Sequence, residues 1–198
     1  MPFPSPPWKL RGDLWLSLFA VRSSGTTDRP PGMYGAAFVD YQESGVLAYR
    51  ELVVARLMRD GVAPRVHITD IWVDSERSRD GGRALWALPK ELADLHVEDG
   101  RMGPAYRTAW SAHIAGEPVA AARFTGANLP AVRTPLMFST SQQREDGTTV
   151  VARVSGSARS LPGTGRWEFG GDGPLAWMRG QRQLLSFRVS DFRLDFGT

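Results

Sequence analysis

Cysteine is absent from the chain, which excludes disulfides and thiol catalysis. Lysine is nearly absent as well: Lys9 and Lys90 stand alone, and every other basic side chain is arginine. Histidine is scarce, and His67, His96 and His113 lie far apart in spacings that fit no zinc site, so no metal is expected. No apolar run approaches a membrane span, and no membrane partner is expected. The proline-rich stretch Met1 to Leu10 lacks the apolar core of a signal peptide, and a cytoplasmic protein is expected. The net charge is only +3, with no basic block interleaved with aromatics, so nucleic acid is not an expected partner. A Gly-x-Ser-x-Gly elbow and a phosphate loop are both missing.

What is present is enough for one sizeable core. The 198 residues include seven tryptophans and read as one domain over 1–198, with no internal repeat or linker. Short strand-like segments dominate: 13–22, 34–41, 46–56, 65–73, 105–114, 118–124, 136–140, 148–153 and 184–195. Two stretches, 25–32 and 161–173, are rich in glycine and read as loops. Ser75 to Leu88 is the best helix candidate; Gly81-Gly82 weakens its middle, and Pro89 should end it at Leu88. The pattern predicts an α+β fold, mostly antiparallel, with a barrel-like sheet and a few helices.

Two stretches carry chemistry. The first, Gly82-Arg-Ala-Leu-Trp-Ala-Leu-Pro-Lys90, places the scarce lysine after a proline at the end of an apolar turn. This chain uses arginine wherever a plain positive charge would serve, and arginine cannot act as an amine nucleophile. Apolar neighbours such as Trp86 disfavour the ammonium and would lower the lysine pKa. A neutral amine can attack a ketone or aldehyde and form an iminium. The plainer account is a solvated lysine behind a helix-ending proline. The second stretch, Tyr41-Gln-Glu43-Ser-Gly45, sets a carboxylate at a strand end beside a glycine turn, where it could face a pocket.

Together these stretches resemble the acetoacetate decarboxylase family. Its Tyr-x-Glu-Ser-Gly stretch is matched by Tyr41, Glu43, Ser44 and Gly45. Its lysine motif is matched by Val73-Asp74-Ser75-Glu76 and then Gly82-Arg83…Pro89-Lys90-Glu91-Leu92. The opening Pro6-Pro7-Trp8-Lys9 is similar too, and the matched parts lie within roughly the first half of the chain. The resemblance implies a barrel-like fold, usually in homo-oligomers, with Lys90 as the Schiff-base lysine and Glu43 as a pocket carboxylate that positions substrate or moves protons. No cofactor is implied. Two departures stand out. Glu91 follows the lysine where the decarboxylase has a second lysine, and Asp13 stands where it has a substrate-binding arginine. Arg11, two residues earlier, is the candidate substitute, and Trp86 is the candidate apolar wall for substrate. The expected function is a Schiff-base lyase acting through Lys90 on a small carbonyl or keto-acid substrate, by decarboxylase-like, aldolase or dehydratase chemistry. The alternative is a non-catalytic barrel that binds a small ligand.

Overall fold

The computed structural model describes residues 3–22, 29–60 and 63–198. Residues 25–28 of the expected first loop lie outside them. The chain forms one sheet of eleven strands: β1 (Trp8–Val21), β2 (Gly32–Tyr41), β3 (Tyr49–Asp60), β4 (Ala63–Val73), β5 (Lys90–Leu92), β6 (Asp94–Met102), β7 (Ala105–Ile114), β8 (Glu117–Ala127), β9 (Arg133–Gln143), β10 (Thr149–Phe169) and β11 (Arg182–Phe196). One α-helix, α1 (Glu76–Trp86), and a 3-10 turn at Ala176–Met178 complete the described elements.

The sheet closes on itself. The pairings β11-β1-β2-β3-β4-β9-β10 run in order, and β10 pairs back onto β11. All are antiparallel except the short β4–β9 contact at Arg65 and Val66. β10 is 21 residues long; its first part belongs to this ring, while Thr164–Phe169 pairs with β8 and carries the β8-β7-β6 layer. The fold is thus α+β and barrel-like, as its composition of short alternating segments predicts.

Alternation along each strand separates two cores. On β1, Trp15 and Phe19 point outward with Phe38 of β2 and Leu52 of β3, and pack under the outer layer against Trp110 and Phe124. The opposite positions point into the ring. There Trp8, Leu10, Val39, Tyr49, Ile71, Val73, Ala152 and Phe192, drawn from six ring strands, join Trp86 of α1. β1 to β3 therefore carry apolar side chains on both faces over much of their length.

The structure corrects the sequence expectations in four places. The stretch 161–173 is strand as far as Phe169. Its glycines mark close packing rather than a loop: a Cβ at Gly165 would lie 2.7 Å from Ser17 Oγ and 2.9 Å from Phe124. The strand expected from 46 starts only at Tyr49. β5 and β6 were not anticipated. Finally, α1 is helical through Gly81-Gly82 and stops at Trp86, because Ala87 turns left-handed at φ 54° and its N–H bonds back to Arg83.

Candidate active site

The helix and the strand after it set Lys90 in place. Ser75 caps α1, its hydroxyl accepting from the Ser78 N–H at 3.3 Å. The two glycines let α1 press against the ring. A Cβ at Gly81 would meet the Trp8 ring at 2.5 Å, and one at Gly82 would meet Lys90 Cδ at 2.8 Å. After the left-handed turn and Pro89, β5 joins β4 in parallel, with Lys90 opposite Ile71. Alternation then sends Lys90 inward and Glu91 outward. Lys90 is 2% exposed.

The Lys90 amine meets three polar partners. Nζ lies 2.9 Å from Glu51 Oε2, 2.9 Å from Ser78 Oγ and 3.4 Å from the Tyr49 hydroxyl, and it sits 4.9 Å from the centre of the Tyr49 ring. Glu51 is itself buried, 5% exposed. Its second oxygen accepts from the Tyr41 hydroxyl at 3.2 Å, and the Tyr41 and Tyr49 rings stack at 4.3 Å. Tyr49 and Glu51 stand two apart on β3, so both face the interior.

These partners reverse the expected tuning of the lysine. Burial does disfavour the ammonium, but the Glu51 carboxylate and Tyr49 together outweigh it, and the Lys90 pKa stands above its ordinary value. Burial, with the Glu51 charge next, holds the Tyr41 hydroxyl well above the usual range. Burial also raises Tyr49, although Lys90 pulls it down. Glu91 takes no part. It pairs on the outside with Arg83, whose Nε also donates to the Lys90 carbonyl at 2.6 Å.

The other residues singled out from the sequence lie elsewhere. Glu43 is exposed in the turn after β2. The carboxylate that meets Lys90 is Glu51, eight residues on, because the chain must pass that turn before β3 re-enters the interior. Arg11 is exposed and occupies the face of β1 opposite Trp8 and Leu10, so alternation directs it away from Lys90. Asp13 shares that outer face and accepts from the Asp191 N–H at 2.9 Å. Trp86 is buried edge-on against Trp8 and Phe196, at 4.8 and 4.6 Å, and forms part of the packing behind the lysine. Lys9 is exposed. A cavity of about 430 Å³ beside Phe19, Trp167 and Gln183 lies on the outer side of the ring and touches none of the Lys90 partners.

Comparison with known proteins agrees with this architecture. Residues 26–175 match the acetoacetate decarboxylase family. No curated protein matches the chain. Among solved structures, the enduracididine biosynthesis enzyme MppR, complexed with the condensation product of pyruvate and imidazole 4-carboxaldehyde, has a TM-score of 0.69 at 16% identity, covering 100% of this chain and 89% of that one. Acetoacetate decarboxylase from Legionella pneumophila subsp. pneumophila str. Philadelphia 1 gives 0.65 at 13% identity, covering 99% and 86%. An acetoacetate decarboxylase-like enzyme from Sphingomonas wittichii RW1 gives 0.64 at 13%, covering 99% and 92%. These likenesses establish the fold, and the match over most of the chain establishes the kinship: this chain belongs to the acetoacetate decarboxylase family.

Proposed function

We propose that the chain is a Schiff-base lyase whose nucleophile is Lys90 and whose proton carrier is Glu51. One observation carries this reading: the buried lysine amine is held 2.9 Å from a buried carboxylate. In the resting pair Lys90 is the ammonium. An incoming carbonyl compound needs the free amine, and Glu51 is placed to take that proton. The amine then bonds to the carbonyl carbon while the carbonyl oxygen gains a proton. Loss of water leaves an iminium on Lys90. That iminium accepts the electron pair of an adjacent bond, to a carboxylate, a carbon fragment or a hydrogen. The resulting enamine is protonated, and water releases the product and restores the amine. Ser78 and Tyr49 orient Nζ, and Tyr41 holds the far oxygen of Glu51.

The relative MppR is complexed with pyruvate and with a condensation product of pyruvate and an aldehyde. This supports a small keto acid or aldehyde as the class of substrate to try first. A second reading, the non-catalytic ligand-binding barrel, is favoured by the raised pKa of Lys90, which is the state of a structural ion pair.

Borohydride reduction in the presence of pyruvate, acetone or acetaldehyde, followed by peptide mass spectrometry, separates the two. The lyase reading expects a single adduct, on Lys90, that is absent from Lys90→Arg. Labelling of exposed Lys9 alone, or of neither lysine, would leave the ligand-binding reading.

A further inference from the structure

Among the described residues, the inner positions of β1, β2, β3 and β11 are mainly apolar, and those at the end away from α1 reach solvent. Helix α1 sits where β1 begins and β4 ends, and Trp86 packs on Trp8 there. At the other end, the inward positions Leu18, Met33, Leu57 and Leu185 form a mouth. Leu18 pairs with Leu185 and with Gly35, and Gly35 with Ala55; Met33 and Leu57 lie two residues from Gly35 and Ala55, so all four share the face of inward Val39 and Tyr49. Met33, Leu57 and Leu185 are 43%, 41% and 56% exposed.

The opening continues inward. Val53 lies mid-strand, hydrogen-bonded to β2 at Ala37 and to β4 at Ile71, yet it is only half-buried; so is Ala55. A residue with a strand on each side can meet solvent only through its own face. The same holds for Leu14 and Leu16 of β1, which lie between Val39 and Val189 and between Ala37 and Phe187. From Leu18, Met33, Leu57 and Leu185 up to the α1 end, the inner positions of β1, β2, β3 and β11 carry one charged side chain, Glu51. Lys90 neutralises it.

We infer that this lumen holds the apolar tail of the substrate, an unbranched alkyl or aryl chain, while the carbonyl group reaches Lys90. The inference rests on the assignment of Lys90 as the site of capture. The occupant is argued from continuity: on β3 the solvent-reached positions Leu57, Ala55 and Val53 lead directly to Glu51, one inward step further. A substrate with charge along its length would find no partner among these positions, and burying that charge unpaired is costly. Arg11 cannot supply one, because it lies on the outer face.

The test uses probes that have no carbonyl, so that it stands apart from Schiff-base formation. Calorimetric titration of the whole chain with straight-chain alcohols from propanol to octanol should show affinity rising about fourfold per methylene. Leu185→Asn and Leu57→Asn, at exposed positions, should weaken octanol about tenfold and leave propanol unchanged. Met137→Asn, exposed on the outward side of β9 beside Leu136, should change neither. A flat alcohol series would overturn the inference even if pyruvate is trapped on Lys90. A rising series with no trapping would leave the lumen standing and remove the lyase reading. If a second copy of the chain fills the mouth instead, the alcohols would fail to bind, and Leu185→Asn would alter the oligomeric state in sedimentation; that result also overturns it.

Discussion

At the scale of single residues, the Lys90–Glu51 pair, on which the proposed chemistry rests, is also a structural liability. A charge left alone in this interior has no partner and little water. Lys90→Met should therefore destabilise the chain by about 3–5 kcal/mol, read from urea midpoints, and the double variant Lys90→Met with Glu51→Leu should recover most of the loss. Turnover should be absent from both. Glu43→Gln should leave stability within about 0.5 kcal/mol and turnover essentially unchanged, since Glu43 is exposed on a turn. Lys90 was legible in the sequence from its rarity, the proline before it and the apolar residues around it. Glu51 was not. It lies in a strand with apolar residues on both faces, where no alternation marks the inner side, so it reads like any carboxylate on a strand. The usable signal was its setting: Tyr49 two residues before it, Leu52-Val53-Val54 after it, and one lysine in the central chain to pair with.

At the scale of elements, α1 and β5 act together as the mount for the lysine. Gly82→Ala illustrates the competition. Helix propensity alone would favour alanine by about 1 kcal/mol. The new Cβ would lie 2.8 Å from Lys90 Cδ and 3.0 Å from Cε, so the lysine stem must move. The expected result is a net loss of about 1–3 kcal/mol in thermal unfolding, together with slower borohydride trapping. Faster or equal trapping would show that the stem has room to yield. The helix itself was readable from the apolar turn before Pro89 and from that proline, but the reason for its paired glycines was not, because the Trp8 ring and the Lys90 stem arrive from other parts of the chain. The last part of β10 was hidden for the same reason: Pro162, Gly163 and Gly165 suggest a loop until the ring is assembled around them. The three residues of β5 are too few for any period to show.

At the scale of the whole molecule, the ring keeps several groups protonated far from water, and this sets an alkaline limit to stability. Lys90 has a folded pKa raised above its ordinary 10.5, and Tyr41 and Tyr49 have theirs raised above 10.0. Above those ordinary values the unfolded chain loses protons that the folded chain keeps. The stability they contribute is complete below about pH 10 and is lost as pH rises through the folded values. Denaturant midpoints should therefore hold steady from pH 8 to about pH 10 and fall beyond it, with a shallower fall in the Lys90→Met, Glu51→Leu double variant. Barrel-like antiparallel architecture was legible in the run of short strands. Closure of the ring was not, since it depends on β10 pairing with three neighbours along one long strand. The most direct test of the central claim follows from the same pair: the pH dependence of pyruvate trapping by borohydride in the wild type and in Glu51→Gln. Replacing the carboxylate removes the larger of the two influences that hold Lys90 in its ammonium form and leaves burial opposed by Tyr49 alone. The trapping profile should then move to lower pH, while steady turnover falls by about a hundredfold. An unchanged profile in Glu51→Gln, or trapping that survives Lys90→Arg, would contradict the account.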